Sequence, residues 1–104
     1  FRQQDPRFRE ENFAANTFLT ESIIALAASW GMTPAQLALA WLLTRSPHLA
    51  VIPGTKRVAY LEENVASDGC ELTGEQLHAI EALLGQWTVA GARYEQRMMQ
   101  FIDR

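Results

Sequence analysis

The stretch that decides the predicted fold is "LAVIPGTKRVAYLEENVAS", residues 49–67. It opens on a short apolar run, residues 49–52, which ends at Pro53-Gly54. An apolar run of this length that is bounded by prolines indicates a strand covered on both faces, as in a parallel sheet. Two cations, Lys56 and Arg57, come next, and an amphipathic helix begins beside them. The stretch therefore predicts a strand, a loop and a helix in immediate succession.

The two cations are unusual residues for the start of a helix. That end already has partial positive charge, so a cation there is unfavourable by about 0.3–1 kcal/mol. Lys56 and Arg57 are therefore either incidental surface charges or the partners of an anion. The neighbouring residues suit an anion, because Gly54 allows close approach of the backbone and Thr55 offers a hydroxyl. The first turn of the helix adds free N–H groups.

Three further helices are predicted outside this stretch. Apolar residues recur at spacings of three and four over residues 13–30, which predicts an amphipathic helix that ends near Gly31. Thr33 with Gln36, and Thr73 with Gln76, have the spacing of a capping box, which marks a helix start. The predicted helices cover residues 13–30, 33–44, 57–67 and 73–84, with Gly85 at the end of the last.

The two ends of the chain are predicted to be less regular. Residues 1–12 are polar, charged and interrupted by Pro6, and they predict a loop. The tail, residues 85–104, mixes aromatic and charged residues, and a short amphipathic helix is predicted to close it. That helix would include four apolar residues: Met98, Met99, Phe101 and Ile102.

Composition excludes several classes of protein. The chain has 104 residues, 48% hydrophobic content and a net charge of −3, which suit one globular unit and argue against a binder of nucleic acid. No apolar run approaches the ~20 residues that span a bilayer, so no membrane partner is expected. Cys70 is the single cysteine, which excludes an intrachain disulfide and fits a reducing compartment. His48 and His78 lack a partner at metal-ligand spacing, so no metal site is expected.

The predicted strand needs partners that the sequence does not provide. A buried strand leaves costly unpaired N–H and C=O groups unless neighbouring strands bond to them. The helix around "LALAWLL", residues 37–43, is apolar on every side, which predicts burial on more than one face. Both features indicate the carboxyl-terminal piece of an α/β protein.

Several motifs resemble one family in the order in which they occur. "TPAQLALAWLL" at residues 33–43, "IPGTKRVAYLEEN" at 52–64 and "ELTGEQLHAIEALL" at 71–84 are similar to the C-terminal part of the aldo-keto reductases. The tail "VAGARYEQRMM", residues 89–99, resembles bacterial members of that family. Of these motifs, the one at 52–64 is the most specific.

The resemblance implies a (β/α)8 TIM barrel that reduces aldehydes and ketones with NADPH in the cytoplasm. Residues 1–104 would form the C-terminal segment of a single barrel domain, since a complete barrel needs about 250 residues. The helices at 13–30 and 33–44 would belong to the seventh helical layer. Residues 49–52 would be the eighth strand and 57–66 the eighth helix, with 73–84 as an extra outer helix.

The resemblance also assigns residues to the NADP(H) site. Thr55, Lys56 and Arg57 would hold the adenosine 2′-phosphate, and Glu63 with Asn64 would contact the adenine. Lys56 and Glu63 are seven residues apart, or two helical turns, which separates them by ~10 Å along one face. Tyr60 stands where many members have an arginine, so the role of that arginine would shift to Arg57 or Lys56, or Tyr60 could stack on the adenine. The full predicted set is Ile52, Pro53, Gly54, Thr55, Lys56, Arg57, Tyr60, Glu63 and Asn64.

No residue of this sequence matches the family's catalytic tyrosine or the lysine, aspartate and histidine that support it. The resemblance therefore implies that the N-terminal remainder of the barrel provides these groups and most of the pocket for a small carbonyl substrate. An alternative from a different class is a non-catalytic helical module for protein interaction. In that case the apolar helix at 37–43 and the methionine-rich tail would bind a partner chain.

Overall fold

The structure is a computed structural model, and it describes residues 5–102. Within that range it consists of helices joined by turns and irregular segments. The α-helices are α1 (Glu10–Ser29), α2 (Pro34–Leu43), α3 (Val58–Ala66), α4 (Gly74–Gln86) and α5 (Gln96–Met99). Short 3-10 turns occupy Pro6–Phe8 and Ser67–Gly69.

No single helix within residues 5–102 is long and apolar enough to cross a membrane. The pair α1 and α2 reaches the required length and composition together, but it bends by 87° at the break.

The predicted strand at residues 49–52 is wrong for this chain. The structure has no strand among residues 5–102, and residues 49–55 have no regular secondary structure. A strand exists only through hydrogen bonds to a neighbouring strand, and the described residues offer none. Ile52 is 96% exposed, so residues 5–102 do not provide the expected cover over this segment.

The predicted N-terminal loop is shorter than expected. Residues 1–4 lie outside the described residues, Pro6–Phe8 form a 3-10 turn, and α1 begins at Glu10 rather than at residue 13. Glu10 and Glu11 occupy the first turn of α1, where carboxylates favour the positive end of a helix. At the other end, Gly31 adopts a φ of 68°, which confirms its predicted position just after the helix.

Both predicted capping boxes are present. In α2 the Thr33 side chain accepts a hydrogen bond from the Gln36 backbone, and the Gln36 side chain accepts one from the Thr33 backbone. Thr73 and Gln76 form the same pair of bonds at the start of α4. The predicted stop at Gly85 is wrong, because α4 continues to Gln86.

A small core forms where α1, α2 and α4 meet. Ala27, Leu37 and Ile80 are its buried residues. Seven partly buried side chains pack around them: Ile23, Leu26, Trp30, Met32, Trp41, Leu72 and Leu84.

Two apolar helix faces remain uncovered within this chain. Along α3, Val58, Leu61 and Val65 are 72%, 50% and 65% exposed, although they share the apolar face of that helix. In α2 only Leu37 and Ala40 are buried, so the expected burial on more than one face is not found among residues 5–102.

The tail returns to the start of α1. Ala90 exchanges two hydrogen bonds with the Asn16 side chain, and the Trp87 ring lies 4.7 Å from the Phe18 ring between centroids. Gly91 has a φ of 85° and packs directly against the Pro6 carbonyl. The predicted closing helix is only Gln96–Met99, and the last residues of the tail, 103–104, lie outside the described range.

Candidate functional site

A groove of about 550 Å³ lies at the start of α3. Its walls come from the loop before the helix and from the first turn of the helix. Five of the nine predicted site residues line it: Gly54, Thr55, Lys56, Arg57 and Tyr60. Four consecutive residues of the predicted site, 54–57, are therefore brought together with Tyr60 around one open space.

The Arg57 backbone fixes the loop onto the helix. Its carbonyl oxygen accepts hydrogen bonds from the Thr55 hydroxyl at 3.1 Å and from the backbone N–H groups of Tyr60 and Leu61 at 3.1 and 3.0 Å. The Arg57 guanidinium carbon lies 5.6 Å from the centre of the Tyr60 ring. The ring thus supports the cation at the mouth of the groove through a cation–π contact.

The electrostatic character of the groove is positive. Neither Lys56 nor Arg57 forms an ion pair with a carboxylate in the described part of the chain. Within that same part, no side chain caps the start of α3, so the N–H groups of Val58 and Ala59, which directly follow Arg57 in the chain, have no side-chain partner. Full charges and free N–H groups are donors that bind phosphate in proteins, whereas the one hydroxyl proton of Thr55 is already donated to the Arg57 carbonyl.

Four predicted residues do not line the groove. Ile52 and Pro53 lie on the exposed segment that leads to it. Glu63 and Asn64 lie further along α3 and are partly buried. The structure therefore separates the predicted site into a cationic groove and a neighbouring position at Glu63-Asn64.

The Glu63 side chain has a partner that the sequence did not indicate. The Thr33 hydroxyl donates a hydrogen bond of 2.6 Å to its carboxylate. The Gln36 side chain also donates to the Glu63 carbonyl oxygen at 3.4 Å. The sequence did show Thr33 and Gln36 as a capping box, but nothing in that motif pointed to a residue 30 positions away.

A second, mostly apolar pocket lies between the start of α1 and the tail, with a volume of about 400 Å³. It was not predicted, because residues from both ends of the chain form it. Its walls are Arg7, Phe8, Phe13, Asn16, Thr17, Leu19, Thr20 and Val89. Across residues 5–102, no cluster of three or more His, Cys, Asp or Glu side chains could hold a metal ion.

Comparison with known proteins identifies the family of this chain. The sequence profile of the aldo/keto reductase family matches residues 1–85. The chain belongs to the aldo/keto reductase family. This aldo/keto reductase chain is 42% identical over 94 residues to the protein named "Aldo-keto reductase yakc", tagged NADP(+), of Schizosaccharomyces pombe. That alignment covers 90% of the chain and 28% of the relative.

Two other relatives extend the comparison. "Aldo-keto reductase str7" of Strobilurus tenacellus is 34% identical over 103 residues, which is 99% of this chain and 31% of that protein. "Pyridoxine 4-dehydrogenase" of Escherichia coli is 50% identical over 58 residues, 56% of this chain and 20% of that protein. The chain spans no more than 31% of the length of any of these relatives. Aldo/keto reductases are oxidoreductases that use nicotinamide cofactors.

Proposed function

We propose that this chain forms the adenosine end of an NADP(H) site in an aldo/keto reductase that reduces aldehydes and ketones. The observation that supports this most directly is the groove at the start of α3, which brings Lys56, Arg57 and Thr55 together. Family membership supports a phosphate ligand for the groove, since the family's nicotinamide cofactors contain phosphate groups. The residues present fit that ligand, because every charged side chain that lines the groove is a cation.

The 2′-phosphate of the adenosine would bind at the mouth of the groove. Lys56 and Arg57 would provide charge-assisted hydrogen bonds, each stabilising by roughly 1.5–3 kcal/mol. Tyr60 replaces the arginine that many members have at this position. Because the Arg57 guanidinium already lies over the Tyr60 ring, Arg57 would take over that interaction with the phosphate. NADH lacks this phosphate, so the same residues would favour NADPH.

The adenine would lie beyond the groove, beside Glu63 and Asn64. A carboxylate accepts hydrogen bonds from the exocyclic amino group of adenine, and an asparagine amide can pair with the neighbouring donor and acceptor of that base. Both side chains are partly buried, which limits the positions that the base could occupy.

The remainder of the barrel would cover the apolar residues that this chain leaves exposed. Ile52 and the apolar face of α3 would pack against the other strands. Residues 49–52 would become the eighth strand once neighbouring strands form hydrogen bonds to them. The catalytic tyrosine, its supporting lysine, aspartate and histidine, and the pocket for the small carbonyl substrate would come from those other parts. The family assignment favours this arrangement over a separate helical interaction module.

The test is a fluorescence titration of the protein that contains these residues with NADPH and with NADH. The variant Lys56→Ala/Arg57→Ala is compared with wild type, and Arg97→Ala, which removes an exposed cation from α5, is the control. Loss of two phosphate contacts predicts that the Kd for NADPH rises by roughly 150-fold or more, while the Kd for NADH stays within about threefold. Equal weakening of both cofactors would refute the 2′-phosphate assignment.

A further inference from the structure

We infer that Thr33 is a positioning residue for the adenine end of the cofactor site, because it holds the Glu63 carboxylate in place. This inference rests on the proposed function, in which Glu63 accepts a hydrogen bond from the adenine amino group. Thr33 itself would not touch the cofactor. It belongs to a different helix from Glu63 and reaches it only through its hydroxyl.

The Thr33 hydroxyl has two functions at once. As an acceptor it caps α2, because the Gln36 N–H donates to it at 3.2 Å. As a donor it binds Glu63 Oε1 at 2.6 Å, the distance of a strong hydrogen bond to a charged oxygen. The rigid start of α2 thereby fixes the end of a long side chain on α3.

Gln36 supports the same arrangement from the backbone side. Its side-chain oxygen accepts from the Thr33 N–H at 3.1 Å, and its amide nitrogen donates to the Glu63 carbonyl at 3.4 Å. Both ends of Glu63, the carboxylate and the carbonyl, are therefore tied to one capping box. All three residues are partly buried, which limits competition from water.

This arrangement has a consequence for binding. With one carboxylate oxygen fixed by Thr33, the other oxygen remains able to accept from the adenine amino group. A glutamate side chain that is already ordered loses little conformational entropy when the ligand binds. That entropy is lost when the protein folds, so it does not weaken the binding of the ligand. Removing the Thr33 hydroxyl should therefore weaken recognition of the amino group by about three- to tenfold.

The chain provides a matched control in its second capping box. At the start of α4 the Gln76 N–H donates to the Thr73 hydroxyl at 3.2 Å, and the Gln76 side chain accepts from the Thr73 N–H at 2.9 Å. These bonds reproduce the box at Thr33 without the contact to Glu63. Thr33→Val and Thr73→Val thus remove the same cap, but only the first removes the hydroxyl that binds Glu63.

The experiment measures the Kd of each variant for two probes by fluorescence. One probe is NADPH, and the other is its hypoxanthine analogue, in which a carbonyl oxygen replaces the adenine amino group. The variants are Thr33→Val, Thr73→Val and Glu63→Leu, the last of which removes the acceptor oxygens. Thr33→Asp is added because aspartate caps a helix well but cannot donate to Glu63, so the test survives if Thr33→Val fails to fold.

We expect Thr33→Val and Thr33→Asp to raise the Kd for NADPH by about three- to tenfold and to leave the Kd for the hypoxanthine analogue unchanged. Thr73→Val should bind both probes like wild type. If the Thr33 variants bind NADPH as tightly as wild type while Glu63→Leu binds it more weakly, the role of Thr33 is refuted and the adenine contact of Glu63 is not. Equal weakening of both probes in the Thr33 variants would show a structural role and would also overturn it. Unchanged NADPH binding by Glu63→Leu would instead refute the proposed adenine contact.

Discussion

Replacing Asn16 with alanine should release the tail from the start of α1. The Asn16 amide nitrogen donates to the Arg7 and Ala90 carbonyl oxygens, each at 3.0 Å, and its oxygen accepts from the Ala90 N–H at 2.9 Å. One side chain thus joins the N-terminal turn, α1 and the tail. Asn16 and Ala90 are 74 positions apart in the sequence, so no local structure would replace the contact between them.

The size of the effect follows from the three bonds. Each partly buried hydrogen bond contributes about 0.5–1.5 kcal/mol, and the groups freed by Asn16→Ala can still bond to water. The local free energy that holds the tail should fall by about 2–3 kcal/mol. The contact between Phe18 and Trp87 remains in the variant, so the helical core should stay folded.

Amide hydrogen exchange at Ala90 measures this opening directly. A loss of 2–3 kcal/mol predicts exchange that is roughly 30- to 150-fold faster at Ala90, with amides in α2 and α4 unaffected. Ser22→Ala is the control, because the Ser22 hydroxyl on the same helix bonds only within that helix, to the Phe18 carbonyl at 2.9 Å. Exchange at the wild-type rate in Asn16→Ala would refute the tail anchor, as would equal acceleration in Ser22→Ala.

Two further predictions concern stability. Gly91→Ala should lower the free energy of unfolding by about 1–3 kcal/mol, because a Cβ at its φ of 85° would come within 2.8 Å of the Pro6 carbonyl oxygen. Gly85→Ala inside α4 should raise it by about 0.5–1 kcal/mol, since its Cβ would meet no atom within 4 Å. Thermal unfolding measures both, and the opposite order of stabilities would contradict the backbone described for the tail. Glu81→Gln should cost no more than about 1 kcal/mol, since its bond of 2.5 Å to Arg45 joins side chains that are about half exposed, and the loss should shrink in high salt. A larger loss that salt does not change would contradict this account of a screened surface ion pair.

The helix starts could be predicted because their signals are local. The capping boxes at Thr33 and Thr73 join residues three positions apart, so the sequence contains both partners of every bond. The 49–52 segment shows the opposite case. Its apolar residues suit a strand, but a strand depends on partners elsewhere, and the described residues offer none.

In the candidate site, too, local features could be predicted and contacts between distant residues could not. Gly54 to Arg57 are consecutive in the chain, so their joint lining of one groove could be predicted from the sequence. The hydrogen bond from Thr33 to Glu63 joins two helices through tertiary packing. The sequence indicated the capping box that contains Thr33, but it did not indicate the contact with Glu63. The tail anchor at Asn16 was missed for the same reason, because its partner Ala90 lies near the other end of the chain.

The most direct test of the central claim is a crystal structure of the protein that contains this chain, bound to NADP(+). The account predicts the adenosine 2′-phosphate in the groove at the start of α3, within hydrogen-bond distance of Lys56 or Arg57, and the adenine beside Glu63. A 2′-phosphate bound away from this groove, with Lys56 and Arg57 both in solvent, would contradict it.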